Sequence, residues 1–234
     1  MTSISRSPVR LRNITATEMS TLFGLNQYSS PSKLLAQKLN PIEITTNHVR
    51  RGKLKEPSVL EAFLIDANME TDRHIGPSLE MPDVRIAATP DAYVKGTTDV
   101  VECKSIISRN FHKWYDAVPL NYHVQVMVQM LVMDSKEGYI GALEEGDPDE
   151  CLYRFTVWKM TRDAEFEQMM RDEATRFWAE TIEGKTFRVN SKMKKRALEI
   201  LPTTTSMLIP AEKPKFDPYK HESNDMSDIM ELFT

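Results

Sequence analysis

The order of apolar and polar positions predicts helices first, then strands with one helix inserted, then a long final helix. The predicted helices cover about residues 15–24, 30–41, 48–68, 121–133 and 163–183. The predicted strands cover about residues 84–88, 91–95, 99–104, 138–144 and 151–159. This order is typical of a single α/β or α+β domain, in which helices flank a mixed central sheet.

Local signals support the ends of several predicted helices. Thr15 and Glu18 have the spacing of a capping box, in which each side chain binds the other residue's backbone N–H. Ser30 directly precedes Pro31, which suits the first position of a helix. The segment 121–133 is apolar and almost uncharged, which predicts a helix buried within the domain.

The composition changes at about residue 200. Residues 1–200 are expected to form one domain, whereas 201–234 are rich in Pro, Thr, Ser, Lys and acids and are predicted to be a flexible acidic tail. The apolar residues Ile229, Leu232 and Phe233 could form one face of a short helix near its end. Two interpretations stay open: a solubilising disordered end, or a docking peptide for an annealing protein or a neighbouring subunit.

The overall composition is that of an ordinary globular protein. The chain has 234 residues, of which 41% are hydrophobic and 27% are charged. No apolar run is long enough to span a membrane, the N-terminus lacks the apolar core of a signal peptide, and two cysteines make no disulfide framework, so a cytoplasmic location is expected. There is no glycine-rich loop for nucleoside triphosphates and no zinc-ligand spacing of His and Cys.

The net charge of −4 hides an uneven distribution of charge. The four acids after Lys220 would account for all of it. Three basic clusters lie elsewhere, at Arg6/Arg10/Arg12, Arg50/Arg51/Lys53/Lys55 and Lys192/Lys194/Lys195/Arg196. Each is either a solvated face or, beside a metal site, a set of contacts to DNA phosphates.

Two short motifs carry the candidate chemistry: the chain reads TPD, then ten residues, then ECK. A hairpin turn at 95–98 would bring Asp91 beside Glu102, and Lys104 would share a strand face with Glu102. Two carboxylates suit Mg²⁺ or Mn²⁺, and the backbone carbonyl of Cys103 could add a further ligand. Lys104 would orient or deprotonate an attacking water, or offset charge on the phosphate.

Other arrangements of these charges are open on spacing alone. The strand could carry alternating charges on a solvent face, but its flanks Val100-Val101 and Ile106-Ile107 predict a core strand, where an unpaired charge is costly. Gln125 and Gln129 lie four apart on the buried helix, and they either face the metal site or cap backbone groups. Glu56, directly before Pro57, is either a helix cap or a carboxylate near a second metal.

TPD and ECK together resemble the PD-(D/E)XK nuclease signature, and the flanks resemble the lambda exonuclease or YqaJ-like viral recombinase family. Four further segments agree in order and spacing, namely 10–17, 51–57, 122–132 and 157–178. The resemblance covers about residues 10–184. It implies a restriction-endonuclease-like core and a metal-dependent 5′-to-3′ exonuclease that resects linear duplex DNA for recombination by single-strand annealing. It also implies action beside an annealing protein, in some members as a ring-shaped trimer.

The resemblance also implies roles for individual residues. Asp91, Glu102 and the Cys103 carbonyl would bind one or two Mg²⁺ ions, Lys104 would be the catalytic lysine, Glu56 the helix carboxylate near the metals, and Gln125 the glutamine of the site. Arg10, Thr17 and Thr89 would contact the 5′-terminal phosphate. Thr17 and Thr89 stand where the family often has Ser, Ala92 where it often has Gly, and Met127 where it has a second Gln. The alternatives are another PD-(D/E)XK nuclease, either RecB- or Cas4-like or an endonuclease, and a non-catalytic recombination protein that binds DNA ends.

Overall fold

The fold is described from a computed structural model, which covers residues 2–5, 7–40, 42–45, 47–145 and 154–211. The helices are α1 (Pro8–Arg12), α2 (Ala16–Leu22), α3 (Pro31–Leu39), α4 (Asn47–Ala67), α5 (Ser108–Phe111), α6 (Leu120–Met133), α7 (Ala164–Ile182) and α8 (Ser191–Ile200). Short 3-10 turns occupy His112–Trp114 and Leu201–Thr204. The strands are β1 (Thr2–Ser5), β2 (Ile14–Thr15), β3 (Ile42–Thr45), β4 (Thr71–Arg73), β5 (Leu79–Met81), β6 (Ile86–Ala88), β7 (Ala92–Val94), β8 (Val100–Ile107), β9 (Glu137–Glu145), β10 (Phe155–Thr161) and β11 (Thr205–Ile209).

The central sheet has six strands in the order β11-β10-β9-β8-β7-β4. Only β8 and β9 are parallel, and the connection between them contains α6, because parallel neighbours need a crossover. A second sheet, β2-β6-β5, joins the start of the chain to the segment before the TPD motif, and β1 pairs with β3. The predicted mixed sheet flanked by helices is confirmed.

The two faces of the central sheet are covered by different helices. On one face, α6 packs with α2 and α7 around buried residues such as Met127 and Phe166. On the other face, α4 places Phe63 against Val101 and Val157. Successive residues of a strand point to opposite faces, so β8 turns Val101 and Cys103 toward α4 and turns Glu102 toward α6.

The close approach of α4 to the sheet depends on a residue without a side chain. A Cβ atom added to Gly141 on β9 would overlap the ring of Phe63 and lie 2.9 Å from Cε2 of Phe155. The rings of Phe63 and Phe155 meet edge to face, with centroids 5.4 Å apart. Gly141 therefore leaves the space in which this aromatic pair lies against the sheet.

Most predicted helices agree with the structure to within one or two residues, since α2, α3, α6 and α7 lie inside the predicted ranges or extend beyond them by one residue. The predicted helix 48–68 also agrees to within one residue at each end, since α4 covers Asn47–Ala67 and continues through Pro57. The alternative in which Glu56 caps a helix is therefore wrong, because Glu56 lies within α4. The patterns did not predict the short elements α1, α5, β4 and β5, or helix α8.

The predicted tail also begins later than expected. Residues 201–204 form a 3-10 turn with Leu201 fully buried, and β11 adds to the edge of the central sheet by pairing with β10. The prediction of a flexible tail from residue 201 is wrong over 201–209. The rest of that tail, 212–234, lies outside the described residues, and so does its predicted docking peptide. The division of the chain into one domain and a tail stays a prediction.

None of the helices within 7–40, 47–145 and 154–211 is long and apolar enough to cross a membrane.

The packing at Gly141 predicts a stability difference between two glycine substitutions. Gly141→Ala should lower the free energy of unfolding by about 1–3 kcal/mol, because the added methyl group overlaps the Phe63 ring. Gly52→Ala is the matched control, since a Cβ atom at Gly52 in α4 would meet nothing within 4 Å. The control should raise stability by up to about 1 kcal/mol through helix propensity. Urea unfolding followed by circular dichroism measures both, and equal midpoints would refute the packing argument.

Candidate metal centre and its surroundings

The predicted hairpin brings the two candidate carboxylates together. The turn after β7 is closed by backbone hydrogen bonds between Val94 and Asp99, and the register places Ala92 opposite Val101. Asp91 therefore lies at the start of β7, next to the middle of β8. Its Oδ2 accepts a hydrogen bond of 2.8 Å from the backbone N–H of Cys103. In a strand the N–H and C=O of one residue point to the same side, so the Cys103 carbonyl also points toward Asp91.

Glu102 is buried, with 3% of its surface exposed, and both of its carboxylate oxygens are engaged. Oε1 accepts a hydrogen bond of 2.6 Å from Gln125 and forms an ion pair with Lys104. Oε2 accepts a hydrogen bond of 2.6 Å from Gln129. Both amides of α6 thus face Glu102. Gln129 also donates to the carbonyl of Thr89 at 3.3 Å, so it contacts backbone as well.

Lys104 lies between Glu102 and an aromatic ring. Its ammonium is 4.9 Å from the ring centroid of Tyr122, close enough for a cation–π contact. Burial alone would lower the pKa of Lys104, but the nearby charges of Glu102 and Asp91 and the hydrogen bond to Glu102 outweigh it and raise that pKa. Lys104 is therefore a fixed positive charge in this arrangement. A fixed positive charge suits Lys104 for offsetting charge on a phosphate or for orienting a water, rather than for deprotonating a water.

The surroundings of Asp91 shift its pKa toward neutral pH. Burial and, next, the charge of Glu102 raise its pKa, while Lys104 and the N–H of Cys103 lower it, and the balance of these effects is a pKa of about 7. A carboxyl group in this state gains from any added cation. Within the described part of the chain no three His, Cys, Asp or Glu side chains form a metal cluster. Asp91 and Glu102 nonetheless fit Mg²⁺, which commonly completes its shell with water and backbone oxygens.

Glu56 approaches the site from α4 on the other side of β8. Its Oε1 accepts two hydrogen bonds from the guanidinium of Arg73 on β4, at 3.0 and 2.7 Å. Its charge also contributes, as the smallest of the causes, to the raised pKa of Asp91. Glu56 is thus close enough to act on Asp91 electrostatically, but it is paired with Arg73, which the sequence pattern did not single out.

The three residues expected to contact a terminal phosphate line the same cleft as the metal centre. This cleft, of about 580 Å³, is lined by Arg10, Thr17 and Thr89 together with Asp91, Glu102, Lys104, Gln125 and others. The small sheet explains the arrangement, because β2 pairs in parallel with β6. That pairing sets the segment around Arg10 and Thr17 beside the chain that leads to Thr89. Glu56 is absent from the described lining of this cleft.

A buried lysine fixes the segment that contains Arg10 and Thr17. Lys38 of α3 is only 7% exposed and donates to the carbonyl oxygens of Arg10 at 2.7 Å and Asn13 at 2.6 Å, and to Oε2 of Glu18 at 2.5 Å. The same Glu18 oxygen accepts the N–H of Thr15 at 2.9 Å, which completes the predicted capping box. Lys38 lies four residues after the buried Leu34, on the same face of α3, and the sequence pattern did not single it out.

The fold is shared with exonucleases of known structure. An alkaline exonuclease from Laribacter hongkongensis, LHK-Exo, matches with a TM-score of 0.58 and 20% identity, over 82% of this chain and 96% of its own. Its complex with dAMP matches at 0.59 and 21% over the same shares. A phage-related exonuclease from Haemophilus somnus 129PT matches at 0.56 and 13%, over 74% of this chain and 96% of its own. At these identities the comparisons show a common fold.

The sequence comparison gives the family. The model of the YqaJ-like viral recombinase domain matches residues 7–136, which is more than half of the chain, and the protein belongs to this family. The uncharacterized protein YqaJ of Bacillus subtilis (strain 168) is 26% identical over 183 residues, which is 75% of this chain. The match spans 55% of the length of that relative. Asp91, Glu102, Lys104, Gln125, Arg10, Thr17 and Thr89 all lie inside the matched region.

The raised pKa of Asp91 predicts how pH affects the metal-free protein. The folded state holds this proton more tightly than the unfolded state, whose Asp pKa is about 4, so Asp91 destabilises the fold as pH rises from about 4 to about 7. In EDTA, Asp91→Asn should therefore melt higher than the wild type at pH 8 and nearly equal to it at pH 4. Mg²⁺ at pH 8 should stabilise the wild type more than the variant. A constant difference between the two melting temperatures across this pH range would contradict the assignment.

Proposed function

We propose that this protein is a metal-dependent DNA exonuclease that degrades one strand of linear duplex DNA from its 5′ end and leaves a 3′ single strand for recombination by annealing. One observation carries the proposal: two carboxylates and a lysine lie in one cleft with Arg10, in a chain whose fold is shared with exonucleases. Membership of the YqaJ-like viral recombinase family supports the recombination role.

Hydrolysis is assigned to the residues around Glu102. Asp91, Glu102 and the Cys103 carbonyl would hold Mg²⁺, or Mn²⁺ in its place, and Glu56 would serve a second ion directly or through water. The bound ion would supply a Lewis acid for the phosphate oxygens and lower the pKa of a water. Lys104 offsets the charge that develops on the phosphate, and Gln125 keeps the Glu102 carboxylate in position.

The choice of DNA end is assigned to the other part of the cleft. The guanidinium of Arg10 would bind a 5′-terminal phosphate, because a planar fork of N–H donors suits phosphate oxygens. Thr17, in the first turn of α2, and Thr89, which is within 2.6 Å of Ser78, would add hydroxyl donors. A terminal phosphate held here places the first phosphodiester bond toward Asp91 and Glu102, which gives the 5′-to-3′ direction.

The assembly and the partners follow from the family. We expect a homo-oligomer, by resemblance a ring of three subunits, that encloses duplex DNA. A single-strand annealing protein is the expected partner, with residues 221–234 as its candidate docking segment.

Lys104 gives the main test of hydrolysis. Lys104→Ala should lower the rate of degradation of linear duplex in Mg²⁺ by about 100-fold or more, because a fixed positive charge is lost from the reacting phosphate. Binding to duplex ends in EDTA should change little. Lys95→Ala is the control, since Lys95 is exposed, lies at the far end of the hairpin and pairs with Glu70 outside the cleft lining. Full activity of Lys104→Ala would refute the site, and cutting of closed circular DNA by the wild type would show an endonuclease.

Arg10 gives the test of end selection. Arg10→Ala should lower the preference for 5′-phosphorylated over 5′-hydroxyl duplex by about tenfold or more, because a charge-assisted hydrogen bond is lost. Arg12→Ala is a matched control two residues away, since Arg12 pairs with Glu80 outside the cleft lining. Degradation rates on the two substrates, which differ only in the 5′ group, give the ratio. An unchanged ratio in Arg10→Ala would remove Arg10 from this role.

A further inference from the structure

A second cleft, of about 430 Å³, adjoins the metal centre and is not used by the function proposed above. Its lining includes Arg51, Ser105, Arg109, Lys113, Asn121 and Tyr122. Tyr122 links the two clefts, because it lines the second one while its ring faces the ammonium of Lys104 in the first.

The same three elements line both clefts, each with neighbouring residues. Strand β8 contributes Glu102 and Lys104 to the first cleft and 105–107 to the second. Helix α6 contributes Gln125 to the first cleft and, one turn earlier, Asn121 to the second. Helix α4 contributes Lys53 to the first cleft and Arg51 to the second. The two clefts are therefore consecutive parts of one groove that follows β8.

The length of this groove suits a nucleic-acid strand. A β-strand rises about 3.3 Å per residue, so Ile107 lies about 16 Å beyond Glu102 along β8. One strand of a duplex advances about 3.4 Å along the helix axis per nucleotide. Because the phosphates of one strand are farther apart along the backbone than along the axis, the second cleft lies within about five nucleotides of the metal centre.

The charge of the second cleft suits phosphates. Arg109 and Lys113 are exposed, and within the described part of the chain neither makes a side-chain ion pair. Glu145 is the one acid of the described lining, and Arg51 pairs with it at 3.2 Å. Ser105 donates to the same carboxylate at 2.7 Å. With Glu145 paired in this way, Arg109 and Lys113 give the described lining of the cleft a net positive charge.

We propose that the second cleft binds backbone phosphates of the degraded strand on the 3′ side of the scissile phosphate, through Arg109 and Lys113. This inference rests on the proposed function for its direction. The first cleft holds the 5′ end beside the metal centre, so the strand must leave the centre through the other part of the groove. Phosphates beyond the scissile one and within about five nucleotides of the 5′ end would then lie at the two cations.

The first test is the salt dependence of DNA binding by the full chain in EDTA, which prevents turnover. Each phosphate contact contributes about 0.9 to the slope of log affinity against log salt concentration. The double variant Arg109→Ala/Lys113→Ala should therefore reduce the magnitude of that slope by about 2 relative to the wild type, and each single variant should reduce it by about 1. Lys194→Ala/Lys195→Ala on α8 is the control of equal charge outside both clefts and should leave the slope unchanged. An unchanged slope in the Arg109/Lys113 variant would overturn the proposal.

The second test places the contact on the DNA. Methylphosphonate linkages remove the charge of chosen phosphates in the strand with the 5′ phosphate. Substitution beyond the scissile phosphate and within five nucleotides of that end should weaken binding to the wild type but not weaken the Arg109/Lys113 variant further. Substitution ten or more nucleotides away should weaken both proteins equally. Additive losses at the near positions would point to another occupant, such as an acidic peptide, and overturn the proposal.

These experiments distinguish a failure of the proposed nuclease function from a failure of the assignment of the second cleft. If the Arg109/Lys113 variant shows the predicted change of slope but the wild type does not cut linear duplex in Mg²⁺, the nuclease function fails while the contact at Arg109 and Lys113 stands. If the wild type degrades linear duplex and the slope is unchanged, only the assignment of the second cleft fails.

Discussion

The buried carboxylate of Glu102 is the interaction on which the rest of the arrangement depends. A charged group at this depth is tolerated only when charged or polar partners surround it, and removing one partner of a buried pair costs about 3–5 kcal/mol. Glu102 has Lys104 from its own strand and Gln125 and Gln129 from α6. The amides lie one helical turn apart, so they reach both oxygens only when α6 lies across β8 at this register. The packing of the core and the geometry of the site are therefore set by the same contacts.

The position of Glu102 also explains why the two carboxylates of the site, Asp91 and Glu102, differ in the donors that surround them. Asp91 is half-buried beside Glu102 and has fewer donors, since the structure gives it the N–H of Cys103 and the charge of Lys104. Glu102 is thus paired within the protein, whereas Asp91 would gain from an added cation. In the proposed nuclease, this difference would let the site respond to metal without making the fold depend on it.

The sequence predicted those parts of the structure that short-range rules govern. Capping residues and apolar spacing located α2, α3, α6 and α7, and the turn at 95–98 placed Asp91 beside Glu102. Contacts between distant segments were out of reach. The pairing of Arg73 with Glu56 joins β4 to α4, and β11 joins the sheet through residues whose composition resembled a tail. Lys38 was missed because its partners are mainly backbone carbonyls, which no side-chain pattern records.

Those carbonyl partners place an unusual limit on how this region can diverge. An ordinary buried ion pair can be replaced by two apolar residues of similar volume, often without loss of stability. If Lys38 and Glu18 were both replaced by apolar residues, neither charge of the pair would be left buried alone. The buried carbonyl of Asn13 would still lose its donor. The constraint on position 38 therefore comes from the course of the main chain between α1 and α2, which directs two carbonyl oxygens at one buried donor.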